Sequence, residues 1–289
     1  MKTTKLLTLL LIMPLATLMA AEATSETMPT NAETLALEQQ VKQLIEQDHN
    51  YKAAVMAYAK AARAHPTETY YRSQFALLRS VAKMQAALAT EPVAEKWQGY
   101  AQAVRTYLYG KGFYNAALAL DEAAYTKFTD VTSASKKLET LLMLGKNEDA
   151  ATLARGLEAT ETSTRLNTLK PVALARSGQV DQAVAAVDDL TVDANKDPYA
   201  LFDLARVSQA AGKQDEAFSY LKLFLEHTVP TEMATSRNMI TLCQDFSPLH
   251  DQEAFKTVLT TESKVAQSSC SGGSSCSSCS LKGKCSSSH

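Results

Sequence analysis

Four cysteines near the C-terminus are the residues of this chain whose type and spacing could do chemistry. They follow the pattern Cys270-x5-Cys276-x2-Cys279-x5-Cys285. Four thiolates around a central CxxC match the ligand set that a tetrahedral soft metal ion requires, which indicates Zn²⁺ or Cu(I). Four cysteines also allow two disulfides, in three alternative pairings. The spacing alone leaves metal ligation and disulfide formation open.

The segment around these cysteines has no apolar material with which to form a core. Between residues 268 and 289, Leu281 is the one large apolar residue, and most of the others are Ser. We therefore predict that residues 263–289 are a flexible tail. The cysteine spacing also resembles the cysteine-rich ends of small proteins associated with bacterial ferrous-iron transporters. The fifth cysteine, Cys243, lies in an apolar helical stretch, where we expect a buried core residue.

The N-terminus predicts export from the cytosol. Lys2 and Lys5 precede an apolar stretch from Leu6 to Ala20, which small residues follow. This pattern is typical of a Sec-type secretory signal peptide, which we place at residues 1–23, with a periplasmic or secreted product. The alternative, a membrane anchor, requires roughly 20 apolar residues. Export in an unfolded state disfavours an iron–sulfur cluster in the tail, since the cluster would have to be assembled outside the cytosol.

Composition indicates a helical protein and excludes several classes. The chain has 289 residues, of which 46% are hydrophobic and 7% aromatic, and Ala-rich and Leu-rich runs favour helix over sheet. The 29 basic and 31 acidic side chains leave no basic excess for neutralising phosphates, so we expect no nucleic-acid partner. No nucleotide-binding, metalloprotease or hydrolase motif occurs, and we expect no enzymatic activity.

A repeat with a period near 33 residues organises the central part of the chain. A glycine followed five residues later by an alanine recurs four times, with the glycines 33, 33 and 34 residues apart, at Gly112–Ala117, Gly145–Ala150, Gly178–Ala183 and Gly212–Ala217. Each pair lies between two helical runs. Glycine permits the positive φ that ends the first helix, and alanine allows the two antiparallel helices to approach closely.

These features resemble the tetratricopeptide repeat, a helix–turn–helix unit of about 34 residues. Its small and aromatic positions recur at Ala54, Tyr58, Ala61 and Pro66, and at Leu201, Leu204, Ala205, Gly212 and Ala217. The resemblance implies an all-α, right-handed solenoid of antiparallel helix pairs over residues 35–231. A flexible leader at 24–34 would precede it and capping helices at 232–262 would follow. Pro171 falls inside one predicted first helix, which we expect it to shorten or kink.

The resemblance also implies a function. First helices of this family line a concave groove that binds a peptide or a partner protein. By repeat position, the groove residues would be Gln102, Thr106, Tyr109, Glu139, Tyr199, Phe202, Arg206 and Gln209. We therefore predict an exported adaptor that carries a cysteine-rich tail and has no membrane span after signal cleavage. The alternative is a metal- or thiol-handling protein whose tail binds Zn or Cu, or less favourably Fe.

The tail cysteines yield a first testable prediction. If they form a metal site, the reduced protein binds about one Zn²⁺, and a Cys276→Ser/Cys279→Ser variant loses that uptake while its helicity is unchanged. Metal analysis and circular dichroism check both parts. Two intramolecular disulfides without metal, seen by non-reducing mass spectrometry of protein isolated from its native compartment, would contradict ligation.

Overall fold

A computed structural model of the chain describes residues 31–157, 163–188 and 190–266. In these ranges the backbone forms helices and turns and contains no β-strand, so the predicted all-α class is confirmed. The predicted signal peptide and the four tail cysteines lie outside the described residues. The chain divides into two compact units between Leu190 and Thr191, which are called here the N-terminal unit and the C-terminal unit.

The N-terminal unit consists of nine helices within its described residues, and each helix packs against the next. Their bounds are α1 Ala32–Glu46, α2 Tyr51–Ala64, α3 Thr69–Leu88, α4 Ala94–Gly110, α5 Tyr114–Phe128, α6 Val131–Met143, α7 Asn147–Gly156, α8 Thr164–Arg176 and α9 Val180–Asp188. Helix α1 thus begins inside the segment predicted as a leader. Pro171 lies within α8 and does not shorten it, since α8 has 13 residues, as α6 has.

Side chains at helix starts fix several of these bounds. The Asn31 side chain accepts a hydrogen bond from the Thr34 amide at the start of α1, at 2.7 Å. Asp130 and Ser133 form a reciprocal capping box at the start of α6. Such side chains satisfy amides that have no partner within the helix, a contribution of about 1 kcal/mol each.

The glycine turns between paired helices have the predicted geometry. Gly112, Gly145, Gly178 and Gly212 all have positive φ, between 66° and 82°. The residue after each glycine donates its amide to the carbonyl five positions earlier, as in Phe113 to Leu108 at 2.8 Å. This is the Schellman geometry that ends a helix at a left-handed residue. The alanines five positions beyond the glycines are fully buried, as close helix approach requires.

Helices α1 to α5 share one apolar core. Aromatic residues predicted to pack between repeats, among them Trp97, Tyr107 and Phe113, lie in it at 3–6% exposure. Helix α1 contacts α5, four helices further along the chain, and the Glu46 carboxylate accepts the Ala116 amide at 3.1 Å. An open solenoid brings only neighbouring repeats into contact. This part of the N-terminal unit is therefore more closed than the simple repeat pattern predicts.

The C-terminal unit contains one glycine-linked helix pair and a closing segment. Its helices are α10 Pro198–Ala210, α11 Gln214–His227, α12 Met233–Leu242 and α13 Glu253–Leu259, with 3₁₀ turns at Pro230–Glu232 and Gln244–Leu249. Phe246 of the second 3₁₀ turn and Phe255 of α13 are buried at 0% and 1% exposure. The closing segment covers the α10–α11 pair, because its 3₁₀ turn contacts α10 and α13 contacts α11.

None of the helices in the described ranges is at once long and apolar enough to cross a membrane.

Two glycine-to-alanine substitutions separate the turn from the helix interior. Gly178 has a φ of 82°, whereas Gly99 lies within α4, and a Cβ at either position would meet no atom within 4 Å. We expect Gly178→Ala to destabilise by about 1–2 kcal/mol through left-handed backbone strain. Gly99→Ala, the matched control, should stabilise by about 0.5–1 kcal/mol. Urea unfolding measures both, and the same sign for the two variants would contradict this account.

Candidate functional site

A buried carboxylate is the centre of a polar network in the N-terminal unit. Asp121 projects from the second helix α5 and its side chain is 2% exposed. The Arg105 guanidinium of α4 lies against it, with Nε 3.0 Å from Oδ1 and 3.1 Å from Oδ2. Thr140 of α6 donates its hydroxyl to the other side of the carboxylate, at 2.6 Å. Asp121 is thereby joined to two first helices.

The network continues across three successive first helices. Arg105 Nη2 donates to Glu139 Oε2 of α6 at 2.9 Å, and Arg165 Nη2 of α8 donates to Glu139 Oε1 at 2.9 Å. One carboxylate therefore binds two guanidinium groups, one from each neighbouring first helix. Charge-assisted pairs of this kind are stronger than neutral hydrogen bonds and restrict side-chain motion. The result is a preorganised polar surface along α4, α6 and α8, which is called here the first-helix surface.

Tyr109 ties an aromatic ring into the same network. The Arg105 guanidinium lies 4.0 Å from the centre of the Tyr109 ring, a cation–π contact. The Tyr109 hydroxyl is hydrogen-bonded to the Thr140 hydroxyl. Tyr114, the first residue of α5, packs edge-on against Tyr109 with ring centres 5.3 Å apart. The Tyr109 ring is consequently held in position and only half-buried.

The environment shifts the proton affinity of the charged groups in different directions. Burial raises the pKa of Asp121, although Arg105 and Thr140 partly oppose this. Burial alone would also raise the pKa of Glu139, but the Arg165 and Arg105 guanidinium groups outweigh it and place that pKa below its ordinary value. Burial, with Arg105 nearby, lowers the pKa of Lys136. Glu139 is thus the carboxylate that its partners most favour in the charged form.

A cavity of about 290 Å³ adjoins the network. Its apolar lining includes Trp97, Ala101 and Phe128, and its polar lining includes Gln102 and Lys136. The Lys136 ammonium group donates to Gln102 Oε1 at 2.6 Å. A cavity of this size, with an aromatic floor and a charged rim, suits one side chain of a bound peptide better than a large cofactor.

Three of the predicted groove residues meet at this surface. Gln102, Tyr109 and Glu139 belong to the network, and Thr106 is exposed on the same helix as Gln102, where the two side chains are 3.4 Å apart. Their role in binding stays a prediction, since no bound partner is present.

The predicted groove residues of the C-terminal unit lie differently. Tyr199 is 39% exposed and Gln209 is half-buried, but Phe202 and Arg206 are buried at 5% and 7% exposure. The closing segment covers these two. The Phe202 ring packs against Phe246 at 5.7 Å, and Arg206 Nε donates to Asp245 Oδ2 at 2.6 Å. Their expected exposure in a groove is therefore wrong.

The predicted metal ligands Cys270, Cys276, Cys279 and Cys285 lie outside the described residues. Cys243 is half-buried, and its thiol is 3.5 Å from the Asp245 carboxylate. In the part of the chain that is described, no group of three or more His, Cys, Asp or Glu side chains has an arrangement suited to a metal ion.

Sequence reasoning missed Arg105, Asp121, Thr140, Lys136 and Arg165. A usable signal was present for some of them, because complementary polar residues recur one period apart on successive first helices. Arg105 and Glu139 are separated by 34 residues, as are Gln102 and Lys136. Asp121 gives a weaker signal, because it is a single acid in an Ala- and Leu-rich helix.

Comparisons with protein-family models, with curated proteins and with solved structures give no match for this chain.

The network predicts unequal effects for two arginine substitutions. Arg105→Met would leave the buried Asp121 charge without its guanidinium, so we expect a loss of about 3–5 kcal/mol in unfolding free energy. Arg165→Met, the matched control, leaves Glu139 paired with Arg105 and should cost about 1 kcal/mol or less. An added Asp121→Asn should restore part of the stability of Arg105→Met. Equal losses for both arginines, measured by urea unfolding, would contradict this order.

Proposed function

We propose that this protein is an exported adaptor that binds a peptide segment of a partner protein on the first-helix surface. The single observation that carries the proposal is the continuity of this surface. Ion pairs connect α4, α6 and α8, and the cavity lined by Trp97 and Phe128 opens next to them. A fixed polar surface beside an apolar cavity offers a partner both orientation and an anchor position.

Similarity to the tetratricopeptide repeat supports this proposal. Four glycine turns of one geometry, 33 or 34 residues apart, separate helix pairs that each bury an alanine at the same position. We propose a solenoid of this type for residues 94–188, where α6 also contacts α8 as one first helix contacts the next. In such a stack the first helices form one face, which is the face where the network lies.

Lys136 is the side chain that we propose reads the partner at the cavity. Its ammonium group has three donors, of which Gln102 occupies one within the described residues. The remaining donors suit a carboxylate or carbonyl oxygen of a bound segment. The cavity floor of Trp97, Ala101, Ala124 and Phe128 suits an apolar side chain next to that group.

Site-specific photo-crosslinking in the cells that produce the protein tests the proposal. A photoreactive residue at Gln98, which is exposed and lines the cavity, should form one discrete adduct. The same residue at Thr152, exposed on the second helix α7, is the matched control and should form none. Excess purified protein should compete the adduct away, whereas a Lys136→Met variant should compete about tenfold less well, the effect of a lost contact of about 1.4 kcal/mol.

Deletion of residues 268–289 distinguishes the adaptor from the metal- or thiol-handling alternative, which the four cysteines favour. An adaptor that uses the first-helix surface keeps the Gln98 adduct after the deletion. Loss of the adduct, or equal adducts at Gln98 and Thr152, would argue against the proposed surface.

A further inference from the structure

Helices α2 and α3 concentrate positive charge that the rest of the chain does not share. Residues 51–88 contain six Lys or Arg and one Glu, whereas the remaining residues contain 23 Lys or Arg and 30 Asp or Glu. The one acid, Glu68, lies before α3, so neither helix carries a carboxylate. Surfaces usually intersperse both signs. A pair of purely cationic helices in a chain of net charge −2 calls for an explanation.

All six cations are exposed, and none is in an ion pair with a carboxylate of the described residues. They are Lys52, Lys60 and Arg63 on α2, and Arg72, Arg79 and Lys83 on α3. Spacings of three, four, seven and eight residues place the three cations of each helix along one side of it. Met56, which is 55% exposed, lies between Lys52 and Lys60 in the α2 row.

The two rows of cations meet at a cavity of about 610 Å³. Lys52 and Met56 line it from α2, Arg79 and Lys83 line it from α3, and Asn50 lies in the turn before α2. Asp48 is the one carboxylate in the lining. Three cations and an amide around one opening can bind the oxygens of a phosphate group, which offers several acceptors at short range.

We propose that the α2–α3 surface binds a membrane rich in anionic phospholipids, with one phosphate-bearing headgroup in the cavity. A row of Lys and Arg on adjacent helices is the pattern that anionic lipid surfaces attract. Met56 lies within that row, where an apolar side chain can enter the boundary between headgroups and acyl chains.

An acidic protein partner fits the same surface less well. Protein interfaces are depleted in Lys at their centres and enriched in aromatic residues. Half of the six cations here are Lys, and no aromatic side chain between residues 51 and 88 is exposed. A lipid surface needs neither an aromatic anchor nor alternating charge. The composition of the surface therefore favours lipid over protein.

Vesicle binding tests this inference with protein that lacks residues 1–23, because the apolar stretch there would bind vesicles by itself. We expect binding to vesicles of phosphatidylglycerol and phosphatidylcholine, no binding to phosphatidylcholine alone, and weaker binding as salt rises. A Lys52→Gln/Arg79→Gln/Lys83→Gln variant should bind about 100-fold more weakly, since each cation near an anionic leaflet contributes about fivefold.

A matched variant controls for net charge. Lys96, Lys146 and Lys222 are exposed lysines outside α2 and α3, and Lys96→Gln/Lys146→Gln/Lys222→Gln removes the same charge. It should bind the vesicles like the unchanged protein. Equal weakening by both variants would overturn the proposal. So would binding of inorganic phosphate without vesicle binding, or binding of polyglutamate or duplex DNA as tight as that of the vesicles.

Discussion

The glycine-terminated turn between antiparallel helices is the constraint on which the arrangement of the first-helix surface depends. Each turn ends its first helix in the same left-handed conformation and returns the chain at the same angle to a buried alanine. Because the turns recur at 33 or 34 residues, side chains one period apart lie opposite each other on successive first helices. Arg105 meets Glu139 and Gln102 meets Lys136 for that reason. The polar network is thus a product of the period.

Periodic features of the structure were accessible from the sequence. The helical class, the glycine turns and the buried alanines follow from local physics that recurs at fixed spacing, and Gln102, Tyr109 and Glu139 were found because repeat position identifies facing residues. Asp121 was not found, since it belongs to a second helix, 16 residues from Arg105. A single acid in an apolar helix is most often solvated, and only the packing of α5 against α6 shows that this one is buried.

Contacts that break the period could not be predicted. Arg206 pairs with Asp245 at a separation of 39 residues, and no repeat of this pairing exists elsewhere in the described chain. Phe202 is buried by Phe246 for the same reason, although its position in the repeat implies an exposed groove. The contact of α1 with α5 is a further case. Chain ends and closures depend on which apolar faces remain uncovered, and that is known only when all helices are placed.

The closing segment sets the order in which parts of the chain can become stable during synthesis. A chain emerges N-terminus first, and the core shared by α1 to α5 is complete once residue 128 has appeared. The α10–α11 pair differs, because Phe246 and Phe255 complete its core and Asp245 neutralises Arg206. Until those residues emerge, an apolar face and a buried cation on α10 lack their partners. The last helix pair is therefore the stage of biogenesis at which a chaperone has the most to bind.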